Sequence, residues 1–188
     1  MEKNIIGPLT EEKVKDLKMG DSVLISGTIY TARDAAHKRL VKLIEEGREL
    51  PIDIKDSVIY YAGPTPAKPG NIIGSVGPTT SYRMDSFTPI LLDKGLRGMI
   101  GKGLRSKEVV ESIKKNKGIY FAAIGGAAAT IAKCIKKVEI VAYEDLDSEA
   151  IRKLEVENFP VIVVIDSEGN NLYEMGQKDY LKSIISEA

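Results

Sequence analysis

Several short stretches of this 188-residue chain carry side chains suited to holding an anion. Arg33, Asp34 and His37 stand where a strand gives way to a helix, and Arg33 and His37, four apart, share one helix face. Loops after strand ends are where α/β sheets gather ligands, which favours Arg33. His37 alone reads as a solvated or structural hydrogen-bonding histidine. The run Gly77-Pro-Thr-Thr-Ser-Tyr-Arg-Met-Asp85 sets the hydroxyls of Thr79, Thr80 and Ser81 after a Gly-Pro turn and ahead of Arg83. Thr80 or Ser81 can cap a helix there, and a hydroxyl-lined helix start beside an arginine also suits a carboxylate. Thr79 and Arg83 point the same way if the first helical turn reaches back that far. Lys102 lies between Gly101 and Gly103, whose backbones can approach a ligand closely, although an exposed turn lysine has the same pattern. Together Arg33, Arg83 and Lys102 could converge on a small carboxylate, each charge-assisted hydrogen bond being worth about 1.5–3 kcal/mol. That positions a dicarboxylate but does not supply a reaction.

Two other glycine motifs are weaker. Gly95-Leu-Arg-Gly-Met-Ile-Gly-Lys-Gly103 suggests a nucleotide loop, but Leu96 stands where a P-loop needs its first glycine, and Gly103 where it needs Ser or Thr. Gly125-Gly126 before Ala127 can present backbone N–H groups to an anion; close packing of helix on strand is the favoured reading.

The elements that must position these residues alternate. Ser22 to Tyr30, Asp56 to Ala62, Ile119 to Ile124, Val138 to Tyr143 and Val161 to Ile165 read as strands. Arg33 to Glu46 is a helix with Ala36, Leu40, Val41 and Ile44 on one face, ended by Gly47. Ser106 caps a helix to Asn116. Further helices are expected over Ala127 to Cys134, Ser148 to Glu157 with Asp147 as cap, and from Lys178 onward. The Gly- and Pro-rich stretch Gly63 to Gly103 reads as turns and loops, interrupted by a helix-like run from Tyr82 to Leu92. The fold class is α/β, a mixed sheet or barrel-like core flanked by helices, and residues 1–188 read as a single domain.

Composition limits the function classes. Lys+Arg and Asp+Glu both number 27, so there is no surplus of cations for nucleic acid or an anionic membrane. No apolar run approaches the roughly 20 residues of a bilayer span, and the start lacks the pattern of a signal peptide. Cys134 is the one cysteine and His37 the one histidine, so a metal site built from Cys or His within this chain is excluded. A reducing, cytoplasmic setting is expected.

In these same motifs the chain resembles the β subunit of class I (iron–sulphur) fumarate hydratase. The resemblance runs through Gly20 to Arg39, Tyr61-Ala-Gly-Pro-Thr-Pro66, Gly77 to Asp85, Gly98 to Gly103, Tyr120-Phe-Ala-Ala-Ile-Gly-Gly-Ala-Ala129, Tyr143 to Asp147 and Phe159 to Asp166. The L-tartrate dehydratase β subunit shares most of these motifs. The resemblance implies a swivelling β/β/α domain and a partner α subunit, in an α2β2 assembly, that carries a [4Fe-4S] cluster with one open iron. No cofactor is expected in this chain, and Cys134 is expected as a helix core residue. The implied reaction is reversible hydration of fumarate to (S)-malate. Arg33, Arg83 and Lys102 are implied to grip substrate carboxylates, and Thr79 is the implied catalytic hydroxyl, with Thr80 and Ser81 as alternatives. Asp34 and His37 are implied to orient Arg33. A stand-alone small-anion-binding module is the alternative of another class.

Overall fold

The computed structural model describes residues 2–123 and 128–176. Seven strands form one mixed sheet: β1 (Glu2–Ile6), β2 (Ser22–Thr31), β3 (Val58–Tyr60), β4 (Gly98–Gly101), β5 (Ile119–Ala123), β6 (Ile135–Ala142) and β7 (Ile151–Ile165). Neighbours from β1 to β5 pair in parallel, and β7 runs antiparallel to β2, β5 and β6. Because β7 pairs with both β2 and β5, strands β2, β3, β4, β5 and β7 close into a five-stranded barrel. The helices are α1 (Glu11–Lys15), α2 (Asp34–Glu45), α3 (Thr88–Asp93), α4 (Lys107–Asn116) and α5 (Ala128–Cys134).

The period-2 alternation of the strands divides the core into two layers. Val58, Tyr60, Ile100, Ile119, Phe121, Phe159, Val161 and Val163 join one buried cluster, which fills the barrel. Their neighbours Ile59, Tyr61, Met99 and Tyr120 join the second, beneath Ala36, Leu40, Leu91, Leu92, Val109 and Ile113 of α2, α3 and α4. Strands covered on both faces read as nearly continuous apolar runs, as β3 and β5 do. Inside the barrel, Tyr60 meets Phe159 edge-on at 5.3 Å, and its hydroxyl donates to the Val76 carbonyl at 2.8 Å. Among the described residues no helix is long and apolar enough to cross a membrane.

The expected fold class holds, as do α2, α4 with its Ser106 cap (Val109 N–H to Oγ, 3.3 Å), and most strands. Three local expectations do not. Ser148 to Glu157 is not a helix: a 3-10 turn over Glu144–Glu149 leads into β7. Between Ile25/Phe159 and Gly27/Val156 the β7 side carries one extra residue, a bulge at which Asn158 has φ 52°. The bulge shifts the inward parity from Leu154 and Val156 to Phe159, Val161 and Val163, so the strand does not read as one strict alternation. Next, Tyr82 to Leu92 is not continuous: a 3-10 turn over Ser81–Met84 is followed by α3, with Pro89 in its first turn. In an unbroken helix Pro89 would lack its N–H and collide with the Asp85 carbonyl. Neither Thr80 nor Ser81 makes a side-chain cap at the 3-10 turn. Finally, β4, β1 and α1 were not expected. β4 is hidden by its glycines, which are there because neighbours sit where side chains would. A Cβ on Gly98 would fall 2.9 Å from Leu9 Cδ1, and one on Gly101 would overlap Ser81 Oγ. The helix expected from Lys178 onward lies outside the described residues.

Gly101→Ala is therefore expected to lower stability by about 1–3 kcal/mol, the usual cost of overpacking. Chemical denaturation would show this as a fall in midpoint at unchanged slope.

Candidate functional site

Because β2, β3 and β4 are parallel, the segments that leave their carboxyl ends emerge on the same side of the sheet. β2 ends at Thr31, and Arg33 follows as the extended residue capping α2. β3 ends at Tyr60, and the chain returns past it: Ala62 bridges Pro78, and Thr79 N–H donates to the Tyr61 carbonyl at 2.7 Å. β4 ends at Gly101, and Thr80 bridges Lys102 in parallel. The strip Thr79-Thr80-Ser81 thus lies between the ends of β3 and β4. The 3-10 turn starts only at Ser81, so no helical turn aligns Thr79 with Arg83.

An ion-pair chain ties Arg83 back to α2. Arg83 Nε donates to Asp34 Oδ1 at 2.8 Å, and Arg33 Nε lies 4.0 Å from Asp34 Oδ2 and 3.3 Å from Glu149 Oε1. The Glu149 contact is close enough for charge attraction but is not aligned as a hydrogen bond, since Arg33 Nε is buried without a hydrogen-bond partner. Asp34 Oδ2 is likewise buried and unpartnered. Gly63 lies close beneath Arg33: a Cβ there would stand 3.0 Å from the Ser148 carbonyl and 3.1 Å from Arg33 Nη1. The structure therefore joins Arg33, Asp34 and Arg83 directly, and joins Lys102 to the Thr79–Ser81 strip through the backbone. It shows no direct contact between Lys102 and either arginine.

His37 sits beneath this layer, fully buried. Its Nδ1 is 2.8 Å from the Arg33 carbonyl, which can only accept, so Nδ1 carries the proton. Its ring meets Tyr61 edge-on at 5.3 Å. Burial lowers its pKa from 6.5 to about 4, against the opposing Arg33 carbonyl and with help from the positive Arg105. His37 is neutral at pH 7 and holds the backbone of Arg33 from below.

Sequence reasoning missed the charge pair under the site. Arg105 Nε donates to Asp85 Oδ1 at 2.6 Å, and one of its terminal nitrogens donates to Thr88 Oγ1 at 2.8 Å. Its guanidinium lies 4.9 Å from the Tyr120 ring centre and 5.4 Å from that of Tyr61. The second Asp85 oxygen accepts the Ser106 N–H at 2.6 Å. The pair is inaccessible on the arginine side and nearly so on the aspartate side, and it fixes the 3-10 turn that carries Arg83 to the start of α4. Asp85 ends the run Gly77 to Asp85; its partner, on the far side of β4, leaves no sequence signal.

Cys134 is half-buried against the core, with Sγ 3.5 Å from the Thr130 carbonyl and 3.6 Å from that of Asn158. Among the described residues no three His, Cys, Asp or Glu side chains are arranged to hold a metal ion. Gly125-Gly126 lies outside the described residues.

Two outcomes are expected from this arrangement. Arg105→Met should destabilise the fold by about 3–5 kcal/mol, because it strands a buried carboxylate; urea unfolding at neutral pH measures it. For His37, the unfolded chain binds a proton near pH 6.5 and the folded chain only near pH 4. Stability from this residue is complete above pH 6.5 and falls as the pH drops toward 4, by roughly 3 kcal/mol in all. His37→Gln should flatten the wild-type slope across that window, and a slope unchanged by the substitution would show that the buried imidazole does not cause it.

Comparison with known proteins follows the same residues. The family model described as Fumarase C-terminus matches residues 2–176. The chain is 46% identical over 152 residues to the anaerobic class I fumarate hydratase of Escherichia coli (strain K12), covering 80% of this chain and 28% of that protein. It is 41% identical over 164 residues to fumarate hydratase 2 of Leishmania major, covering 86% and 29%. It is 40% identical over 181 residues to the putative L(+)-tartrate dehydratase subunit beta of Methanocaldococcus jannaschii, covering 93% of each chain. The chain thus spans less than a third of those two fumarate hydratases and nearly all of that subunit. The family match takes in every strand and helix described above, and the chain belongs to the Fumarase C-terminus family.

Proposed function

We propose that this chain is the β component of a hydro-lyase that interconverts fumarate and (S)-malate, completed by an α subunit. The observation that carries the reading is the Arg33–Asp34–Arg83 ion-pair chain, with buried unpartnered atoms on Arg33 and Asp34, beside the Thr79–Lys102 strip. Buried polar atoms without partners are rare, and the Arg33 Nε donor points to an acceptor, such as a carboxylate, that joins it. The match along 93% of a protein named as a β subunit supports the β-type reading.

A [4Fe-4S] cluster does not fit the residues of this chain. Its one cysteine contacts carbonyl groups near α5, and its one histidine is buried with Nδ1 committed to a backbone carbonyl. The cluster is therefore assigned to the partner, in an α2β2 assembly, and no step here runs through it. Within this chain, Arg33, Arg83 and Lys102 bind the two carboxylates of the substrate. In dehydration a proton leaves carbon, the C–H electron pair becomes the double bond, and hydroxide leaves the neighbouring carbon. Negative charge builds on the carboxylate beside the reacting C–H, where a preplaced cation lowers the barrier. The Thr79 hydroxyl faces that carbon. An alcohol is too weak a base at neutral pH, so Thr79 works as a relay that hands its own proton on to a carboxylate of the partner. Asp34 and His37 orient Arg33.

Tartrate dehydration is the second reading, favoured by the same full-length relative. The ratio of kcat/KM for malate and L-tartrate, measured on the assembled enzyme, decides between them. Co-expression with an α chain bearing the cluster should create malate dehydration that this chain lacks alone. Arg83→Ala in that assembly should cut kcat/KM at least 100-fold, since losing one partner of a desolvated charge pair costs about 3–5 kcal/mol. Near-normal kinetics for Arg83→Ala would place the site elsewhere. Tight calorimetric binding of malate to this chain alone would favour a free-standing anion-binding module.

A further inference from the structure

The backbone of Lys102 is held at two points and that of Gly103 at a third. The Lys102 N–H donates to Ser81 Oγ at 3.0 Å, its carbonyl accepts the Ser81 N–H at 2.9 Å, and the next carbonyl, that of Gly103, lies 2.9 Å from the Tyr120 hydroxyl. The same Tyr120 hydroxyl is 2.9 Å from Ser81 Oγ. Both side chains are fully buried, so water does not supply missing partners.

The proton count fixes the direction of this ring. Tyr120 has one hydroxyl proton and two neighbours at equal distance. The Gly103 carbonyl can only accept, so it takes the phenol proton. Ser81 Oγ then donates its own proton to the phenol oxygen and accepts from Lys102 N–H. The result is a directed chain: Lys102 N–H to Ser81 O–H to Tyr120 O–H to Gly103 carbonyl, with no donor left over. Burial raises the Tyr120 pKa, so the phenol keeps the proton that the chain requires. Arg105 packs 4.9 Å from the centre of the Tyr120 ring and holds it in place. Gly101 leaves the space that Ser81 Oγ occupies.

We propose that Ser81 and Tyr120 are positioning residues that clamp the backbone on both sides of Lys102, and that Ser81 takes no part in proton transfer. This rests on the reading of Lys102 as a carboxylate-binding cation, and it separates Ser81 from Thr79 and Thr80. Both protons of the clamp are committed to structural bonds, which leaves Ser81 none to relay. The clamp sets where the lysine stem starts, and so where its ammonium group reaches.

The test has one arm that needs no substrate. Amide hydrogen exchange on the full chain, resolved by NMR, should show the Lys102 N–H exchanging at least ten-fold faster in Ser81→Ala than in wild type. The Tyr61 amide, bonded to Ile100 across β3 and β4, should be unchanged. Tyr120→Phe, which removes one oxygen and keeps the ring under Arg105, should speed Lys102 exchange in the same direction while keeping the fold. In the assembled enzyme Tyr120→Phe should raise KM for malate more than it lowers kcat, and its kcat should keep the wild-type pH profile. Unchanged Lys102 exchange in both variants would overturn the clamp. So would a Ser81→Ala enzyme as inactive as Thr79→Ala whose Lys102 exchange matches wild type, since Ser81 would then act on the proton itself. If exchange responds as expected while the wild-type assembly dehydrates neither diacid, the clamp stands and the proposed activity fails.

Discussion

The pairing of β7 with β2 is the constraint on which the rest of this molecule depends. Nine residue pairs from Ser22/Ile162 to Thr31/Arg152 lock the two strands antiparallel, with one bulge between them. Without that seam the seven strands would be an open sheet with β1 and β6 at its edges. With it β2, β3, β4, β5 and β7 form a barrel whose apolar interior excludes water and whose outer face must be covered by α2, α3 and α4. The bulge is part of the constraint. Asn158 adopts a left-handed backbone there, and its N–H is taken by Ser26 Oγ at 3.0 Å. It turns Phe159, Val161 and Val163 inward in register with Leu154 and Val156, so one strand serves the barrel along its whole length.

Barrel closure places the chemistry. Parallel neighbours deliver their carboxyl ends to one rim, so residues far apart in sequence meet there without a dedicated loop to bring them. The rim is then stiffened from below rather than from within. His37 holds the Arg33 carbonyl, the Asp85–Arg105 pair holds the turn bearing Arg83, and Tyr61 stands between the two, touching His37 on one side and Arg105 on the other. A buried ion pair is a weak source of stability compared with a well-packed apolar core. Here it satisfies the Ser106 N–H at the start of α4 and the Thr88 hydroxyl at the start of α3, giving three segments one shared anchor.

Much of this was legible in the sequence, for reasons that also explain what was not. α2 and α4 show one-sided apolar spacing and end signals, and the Ser106 cap forms as read. β3 and β5 are short apolar runs bounded by turns. The first half of β7 was illegible because its parity is broken by a bulge that only its partners define, and those partners lie far away in sequence. β4 was illegible because glycine is a poor strand former, yet two of its four residues must be glycine for Leu9 and Ser81 to pack against them. At the site, Arg33, Asp34, Thr79, Arg83 and Lys102 were visible as charged or hydroxyl residues at turns. The roles of the residues beneath them were not: Tyr120 lies within the strand run Ile119 to Ile124, Arg105 stands in no motif, and Ser81 offers a helix cap or an alternative to Thr79. Their roles arise from contacts across the barrel rim, which no local spacing encodes.

The rim also explains how a chain can hold several cations together before any substrate arrives. Arg33 and Arg83 bring two positive charges; Asp34 and Glu149, both within 4.0 Å of Arg33, return two. Asp34 uses one oxygen on Arg83 and leaves the other buried without a hydrogen bond. The cluster is therefore close to neutral, and its arginines are oriented by carboxylates of their own chain. On the proposed function, a diacid entering this layer would meet cations already aimed, so less ordering would be required at the moment of binding. It would also compete with Asp34 for Arg83. Cations oriented yet partly satisfied in this way would suit a site completed by the second polypeptide that the proposed function calls for.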